Sequence, residues 1–134
     1  MSSSYIDRLR GTWRVAVVDG SMIPAIEPGD WLLLDPTAGH WPRVGSIVVF
    51  REPDSDLFAI KRVAARGGQH VSIDEGVLHL EPDEAWLLGD AGGTSLDSRR
   101  YGPVRFDRFV GRAWFRYAPL RRIGRLRAPS RDLR

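Results

Sequence analysis

The sequence predicts a mostly β fold: a single domain of coiled antiparallel sheets. Three observations predict it. Eight apolar runs, mostly 4–8 residues long and rich in Val, Ile, Leu, Phe and Trp, recur along the chain, as strands do. Clusters of Gly, Pro, Asp and Ser separate them at short intervals, a spacing that suits barrel-like antiparallel sheets. A length of 134 residues holds one domain of ordinary size with one core.

In order, Tyr5–Arg10 reads as one short helical turn. The first strand, Trp13–Val18, is closed off by Asp19-Gly20. Trp31–Leu34 follows the Pro28-Gly29-Asp30 turn, and Ile47–Phe50 follows Pro42-Arg43-Val44-Gly45. Pro53–Asp56 leads to the long run Leu57–Ala65, which Gly67-Gly68 ends. His70–Ile73 and Val77–Leu80 are separated by the turn Asp74-Glu75-Gly76. Ala85–Leu88 enters a polar, glycine-rich loop, and Val110–Tyr117 is the last strand. The domain spans residues 5–118, and a basic tail occupies 119–134.

The composition is that of a globular protein. Without cysteine there are no disulfides, no thiolate metal site and no cysteine nucleophile. His40, His70 and His79 lack metal-ligand spacing and read as loop or surface residues, and no cofactor is expected. No stretch of 18 apolar residues exists, and residues 1–10 carry no apolar core of signal-peptide length. The expectation is a cytoplasmic location. Net charge is +3, and from Arg112 onward eight arginines face a single acidic residue, Asp132. Leu120–Arg127 has the spacing of a short basic amphipathic helix, able to lie on an anionic membrane or touch nucleic acid. Gly124 and Pro129 weaken that helix. A solvated tail is the favoured reading, with peripheral membrane contact kept open and no nucleic-acid partner expected.

Lys61 is the only lysine, against nineteen arginines. Arginine stays protonated in a protein, whereas a desolvated lysine can lose its proton and act as a base. In a strand Lys61 shares its face with Leu57, Ala59, Val63 and Ala65, all apolar. Forty residues upstream lies Ser21, presented after a buried strand and Gly20 and before Pro24. Read singly, a serine after a glycine is usually a turn, and a strand lysine can snorkel to water. The loop Leu88–Val104 is read as structural; within it Asp97 and Arg99 can pair, and Ser95 can orient an amine such as Lys61.

Together these segments resemble the signal peptidase I-like family of Ser/Lys serine proteases, whose catalytic fold is shared with LexA-type proteins. The matching motifs are Ser21-Met22-Ile23-Pro24, Gly29-Asp30, Lys61-Arg62, and Gly89-Asp90-Ala91 with Ser95-Leu96-Asp97-Ser98-Arg99 and Gly102-Pro103-Val104. The resemblance implies a serine endopeptidase with Ser21 as nucleophile, Lys61 as general base and Ser95 orienting Lys61. It also implies an Asp97–Arg99 pair that supports the site, and a Ser21 backbone N–H in the oxyanion hole. Its expected substrate is the extended N-terminal propeptide of a precursor protein, paired with the strands that lead to Ser21 and carry Lys61. Departures are Asp19 near the oxyanion, Ala91 for asparagine and Gly45-Ser46 for Gly-Asp. With no membrane anchor preceding Ser21, and with Val15-Ala16-Val17-Val18-Asp19-Gly20 ahead of it, the chain resembles the soluble nickel-type superoxide dismutase maturation proteases. The alternatives are a membrane-docked signal peptidase acting on secreted preproteins, a self-cleaving LexA-type regulatory module, and a catalytically lapsed relic.

Overall fold

The structure, a computed structural model, describes residues 5–9, 12–92 and 96–126, with side chains from residue 13 onward. The fold is mostly β and antiparallel, as the apolar runs predict. Strands β1 (Tyr5–Leu9) and β2 (Thr12–Ala16) form a hairpin, followed by β3 (Trp31–Asp35), β4 (Ile47–Arg51) and β5 (Phe58–Arg66). A second hairpin joins β6 (His70–Ile73) and β7 (Gly76–His79), and β8 (Glu84–Leu88) returns to the main sheet. One helical turn, α1 (Ser98–Tyr101), precedes β9 (Val104–Arg105), β10 (Phe109–Ala118) and β11 (Gly124–Arg125). The main sheet runs β1-β2-β3-β10-β4-β5-β8-β9, with β11 added to β10 and the β6–β7 hairpin separate.

Two segments differ from their sequence readings. Tyr5–Arg10 was expected to be helical, yet Tyr5–Leu9 is a strand, in register with β2 from Tyr5↔Ala16 to Leu9↔Thr12. Six residues are too few to sustain a helix alone, whereas a strand gains a ready backbone partner in β2. The basic segment after Pro119 is not an amphipathic helix. It makes a 3-10 turn at Leu120–Arg122, and Gly124, with φ of 153°, then starts β11. Its direction is set by Asp30, which is only 2% exposed. Asp30 accepts hydrogen bonds from Arg116 Nη1, Arg122 Nε and Arg122 Nη2, each at 3.2 Å, and from the Glu27 N–H at 2.9 Å. A buried carboxylate needs such partners, and two arginine forks supply them.

β10 bends the sheet into its coil. It pairs with β3 on one side and β4 on the other, and its register shifts between Phe109 and Gly111, Ala113 and Phe115, and Arg116 and Ala118. Bulges of this kind increase local twist. β4 and β5 are covered on both faces. Alternation sends Ile47, Val49 and Ile60 into a core with Val15, Leu32, Met22 and Ile26. It sends Val48, Phe50, Ala59 and Val63 to the opposite face, against Trp41, Ala85, Leu87 and Val104. The β6–β7 hairpin packs Val71, Ile73 and Leu78 on Ala65, Leu80 and Trp86.

The chain turns into that hairpin at Gly67, where an added Cβ would collide with the backbone of Pro82. Gly67→Ala is expected to destabilise the protein by about 1–3 kcal/mol, because backbone cannot yield as a side chain can. Urea unfolding measures this; an unchanged midpoint would contradict the close approach.

Candidate active site

Two adjacent basic residues sit on β5, and the two-residue period of a strand sends them to opposite faces. Arg62 makes a two-pronged pair with Asp90, Nε to Oδ1 at 2.9 Å and Nη2 to Oδ2 at 2.6 Å, and its Nη1 donates to the Gly45 carbonyl at 2.8 Å. Lys61 points the other way, in step with Ala59 and Val63, and faces Val48 across β4. Leu57 lies before β5, and the bulge between Val63 and Ala65 moves Ala65 into the hairpin cluster. The apolar face expected around Lys61 is therefore narrower than alternation over Leu57–Ala65 implies. Lys61 is still only 4% exposed. Burial pushes its ammonium pKa down. Asp19, then Asp97 and Glu52, pull it back up, and Arg99 adds to the lowering; the net direction is down.

Ser21 opens an irregular turn rather than ending a strand. β2 stops at Ala16, and Val17 continues the ladder through its N–H to the Asp30 carbonyl and its carbonyl to the Gly29 N–H, both 2.9 Å. The turn closes with the Ile23 N–H on the Gly20 carbonyl at 3.1 Å and the Ile26 N–H on the Met22 carbonyl at 3.1 Å. Met22 is the anchor. Its side chain is fully buried, and its Sδ accepts from the Asp90 N–H at 3.4 Å. The Ser21 carbonyl accepts from the Ala91 N–H at 2.9 Å. The half-buried serine is thus docked on the same Gly89–Gly92 loop that Arg62 holds from β5.

Asp97 holds that loop from the other end. It has no exposed side-chain surface. Its Oδ1 accepts from the Arg99 N–H and Nε at 3.1 and 3.0 Å, and its Oδ2 from Arg99 Nη2 at 2.6 Å and the Gly89 N–H at 2.9 Å. Burial pushes its carboxyl pKa up, but these donors outweigh burial and hold it below the usual value. The Asp97–Arg99 pair expected from the sequence is present. Ser95 lies outside the described residues. Two contributors went unnoticed in the sequence. Ser98, fully buried, accepts the Leu87 N–H on its Oγ at 2.9 Å, and Asp90 partners Arg62. An arginine beside a buried strand lysine must face the other side and find an acid, which was the available signal for Asp90.

The expected oxyanion donor, the Ser21 N–H, is engaged: it donates to Asp19 Oδ1 at 3.0 Å. Among the described residues no group of three or more His, Cys, Asp or Glu could hold a metal ion.

A half-buried serine and a buried lysine, on segments tied to one loop through Met22, Asp90 and Arg62, are residue types that a hydrolase using serine and lysine needs. The family model for signal peptidase, peptidase S26, matches residues 8–84, which include Ser21 and Lys61. The chain belongs to the peptidase S26 family. It is a serine endopeptidase. Similar proteins are a probable signal peptidase I-1 of Synechocystis sp., 30% identical over 79% of this chain and 71% of the relative, and two mitochondrial inner membrane protease subunits 1. The Schizosaccharomyces pombe subunit is 33% identical over 70% of this chain and 68% of its own length, and the Xenopus tropicalis subunit 34% over 80% and 70%. The nickel-type superoxide dismutase maturation proteases expected from the sequence are not among these relatives. Within the S26 frame, the Gly89–Val104 loop lies beyond the matched residues, so its part in this protein rests on the geometry above.

Two stability predictions follow from that geometry. Asp90→Ala strands the guanidinium of Arg62 and is expected to cost roughly 2 kcal/mol or more, somewhat below the penalty for breaking a fully buried pair; thermal unfolding checks it. Asp97→Asn should be less stable than wild type at neutral pH. A lowered carboxyl pKa stabilises the fold above the unfolded value of 3.8 and loses that contribution as pH falls through the native value. The gap between the two proteins should therefore close on acidification below 3.8, and a gap constant with pH would exclude the charge as its source.

Proposed function

We propose that Ser21 and Lys61 form a Ser/Lys dyad that cleaves an extended N-terminal segment from a precursor protein. The observation that carries this is the burial of the sole lysine, with its pKa lowered, on the strand whose Arg62–Asp90 pair also holds the Ser21 turn through Met22. Lys61, neutral, takes the hydroxyl proton as Ser21 Oγ attacks the scissile carbonyl. The ammonium so formed returns that proton to the leaving amine, and the acyl-enzyme remains. Lys61 then deprotonates water, which releases the new carboxyl end and regenerates Ser21. Ser95 would orient the amine, and the Asp97–Arg99 pair would hold the loop behind it.

The register supports an extended substrate. β1 pairs with β2 only as far as Ala16, and β8 pairs with β5 only from Arg62 onward. Val17–Asp19 and Phe58–Lys61 thus each have one side without a ladder partner among the described residues. A peptide strand can add there, as in β-augmentation, with exposed Val18 and Ile23 alongside.

The names of the relatives favour preproteins handled at a membrane, so processing of a secreted preprotein is the first reading. Among the described residues no helix is long and apolar enough to cross a membrane. Docking through the basic tail would serve the membrane reading, and cell fractionation tests it against the cytoplasmic placement. A nickel-type superoxide dismutase precursor is the second candidate substrate, supported by the Val15–Gly20 stretch before Ser21.

The test is co-expression with each precursor and intact-mass analysis of both proteins. Wild type should release the N-terminal segment, and Ser21→Ala and Lys61→Arg should lose activity by about a thousandfold or more. Cleavage that survives Lys61→Arg would sink the dyad. A mass change in the enzyme alone would favour self-cleavage. Because Lys61 must be neutral to act, kcat/KM should rise with pH and level off above its lowered pKa.

A further inference from the structure

We propose that Asp19 holds the free enzyme in check: its carboxylate occupies the Ser21 N–H until an extended substrate displaces it. The inference rests on the Ser21–Lys61 reading and adds a control to it. The Ser21 N–H donates to Asp19 Oδ1 at 3.0 Å. An oxyanion formed on a Ser21-bound carbonyl needs that same donor and would also meet a like charge beside it. One N–H cannot serve both, so the arrangement in the free protein is not the arrangement of the transition state.

Asp19 acts on the second member of the dyad as well. The charges that bear on buried Lys61 come from Asp19 after β2, Asp97 before α1, Glu52 after β4 and Arg99 in α1, and Asp19 comes first among them. It opposes burial and favours the ammonium, which cannot accept a proton from Ser21. The Asp97 carboxylate is fixed by Arg99 and the Gly89 N–H. Asp19 sits half-buried at the end of the Val17–Asp19 edge, where an incoming peptide strand would pair. Substrate insertion is thus the event placed to move it. Its departure would free the oxyanion donor and remove one of the charges that favour the Lys61 ammonium.

Two substitutions separate the two effects. A carboxylate bonded to the N–H two residues on also shapes the turn. Asp19→Asn keeps an acceptor oxygen and the turn while removing the charge. Asp19→Ala frees the N–H too. One measurement is the pH dependence of kcat/KM, which reports the free enzyme, and of kcat, which reports the complex. The other is the affinity of a small boronic acid, too short to pair with the strands. Its boron takes up Ser21 Oγ to form a tetrahedral anion, and the hydroxyl proton passes to Lys61.

In wild type the acid limb of kcat/KM should lie at higher pH than that of kcat. In Asp19→Asn the kcat/KM limb should fall by about one unit, the size expected for loss of one nearby opposite charge, and meet the kcat limb. Asp19→Ala should bind the boronic acid about tenfold tighter or more. An unmoved limb in Asp19→Asn, with boronic acid affinity in Asp19→Ala equal to or weaker than wild type, overturns the proposal while cleavage persists. If Asp19→Ala does not fold, the Asp19→Asn limb alone decides. Activity that survives both Ser21→Ala and Lys61→Arg removes the dyad itself, and this inference with it.

Discussion

β5 has to carry two neighbouring basic residues through the middle of the protein, and much of the site follows from how each is accommodated. The strand is covered on both faces, so neither side chain can reach bulk water freely. Arg62 is satisfied outright by the Asp90 carboxylate and the Gly45 carbonyl. Lys61 has only apolar neighbours on its own strand face, with carboxylate charges acting from surrounding segments. One cation therefore acts as a structural tie, while burial lowers the pKa of the other. The division is a consequence of the strand's two-residue period.

The tie made by Arg62 links the Ser21 turn to the strand that carries Lys61. Asp90 is held through its side chain by β5, while its N–H and that of Ala91 hold the Ser21 turn. Asp97 then closes the loop onto Gly89 and Arg99. These contacts tie both ends of the loop to the sheet and to the Ser21 turn. The same device recurs at Asp30, where Arg116 and Arg122 fasten the chain's basic segment to the sheet. A guanidinium suits these places because its planar fork matches a carboxylate and stays charged. That chemistry explains why arginine fills these structural positions.

Membership in the S26 family shows an endopeptidase, and the geometry adds a further feature. The residue two before Ser21 is acidic, and its carboxylate accepts the Ser21 N–H. A resting enzyme so arranged would spare folded proteins that cannot insert a strand. Selectivity would then come from the substrate's ability to pair with the sheet edges as much as from its side chains.

The sequence by itself determined the mostly β fold and the family motifs, and it singled out Ser21 and Lys61 as candidates. Short Val- and Ile-rich runs bounded by Gly and Pro admit few structures other than strands, and a lone lysine in such a run is conspicuous among arginines. Tertiary structure decided what depends on distant partners. Tyr5–Leu9 became a strand because β2 offered a backbone edge, and the basic segment turned at Asp30 because a buried carboxylate required its arginines. The bulge after Val63 redirected Ala65, which strict alternation could not foresee. The Arg62–Asp90 tie spans 28 residues and the Met22–Asp90 contact 68. No local pattern encodes such pairings; they exist only once the sheet has coiled and its loops have met.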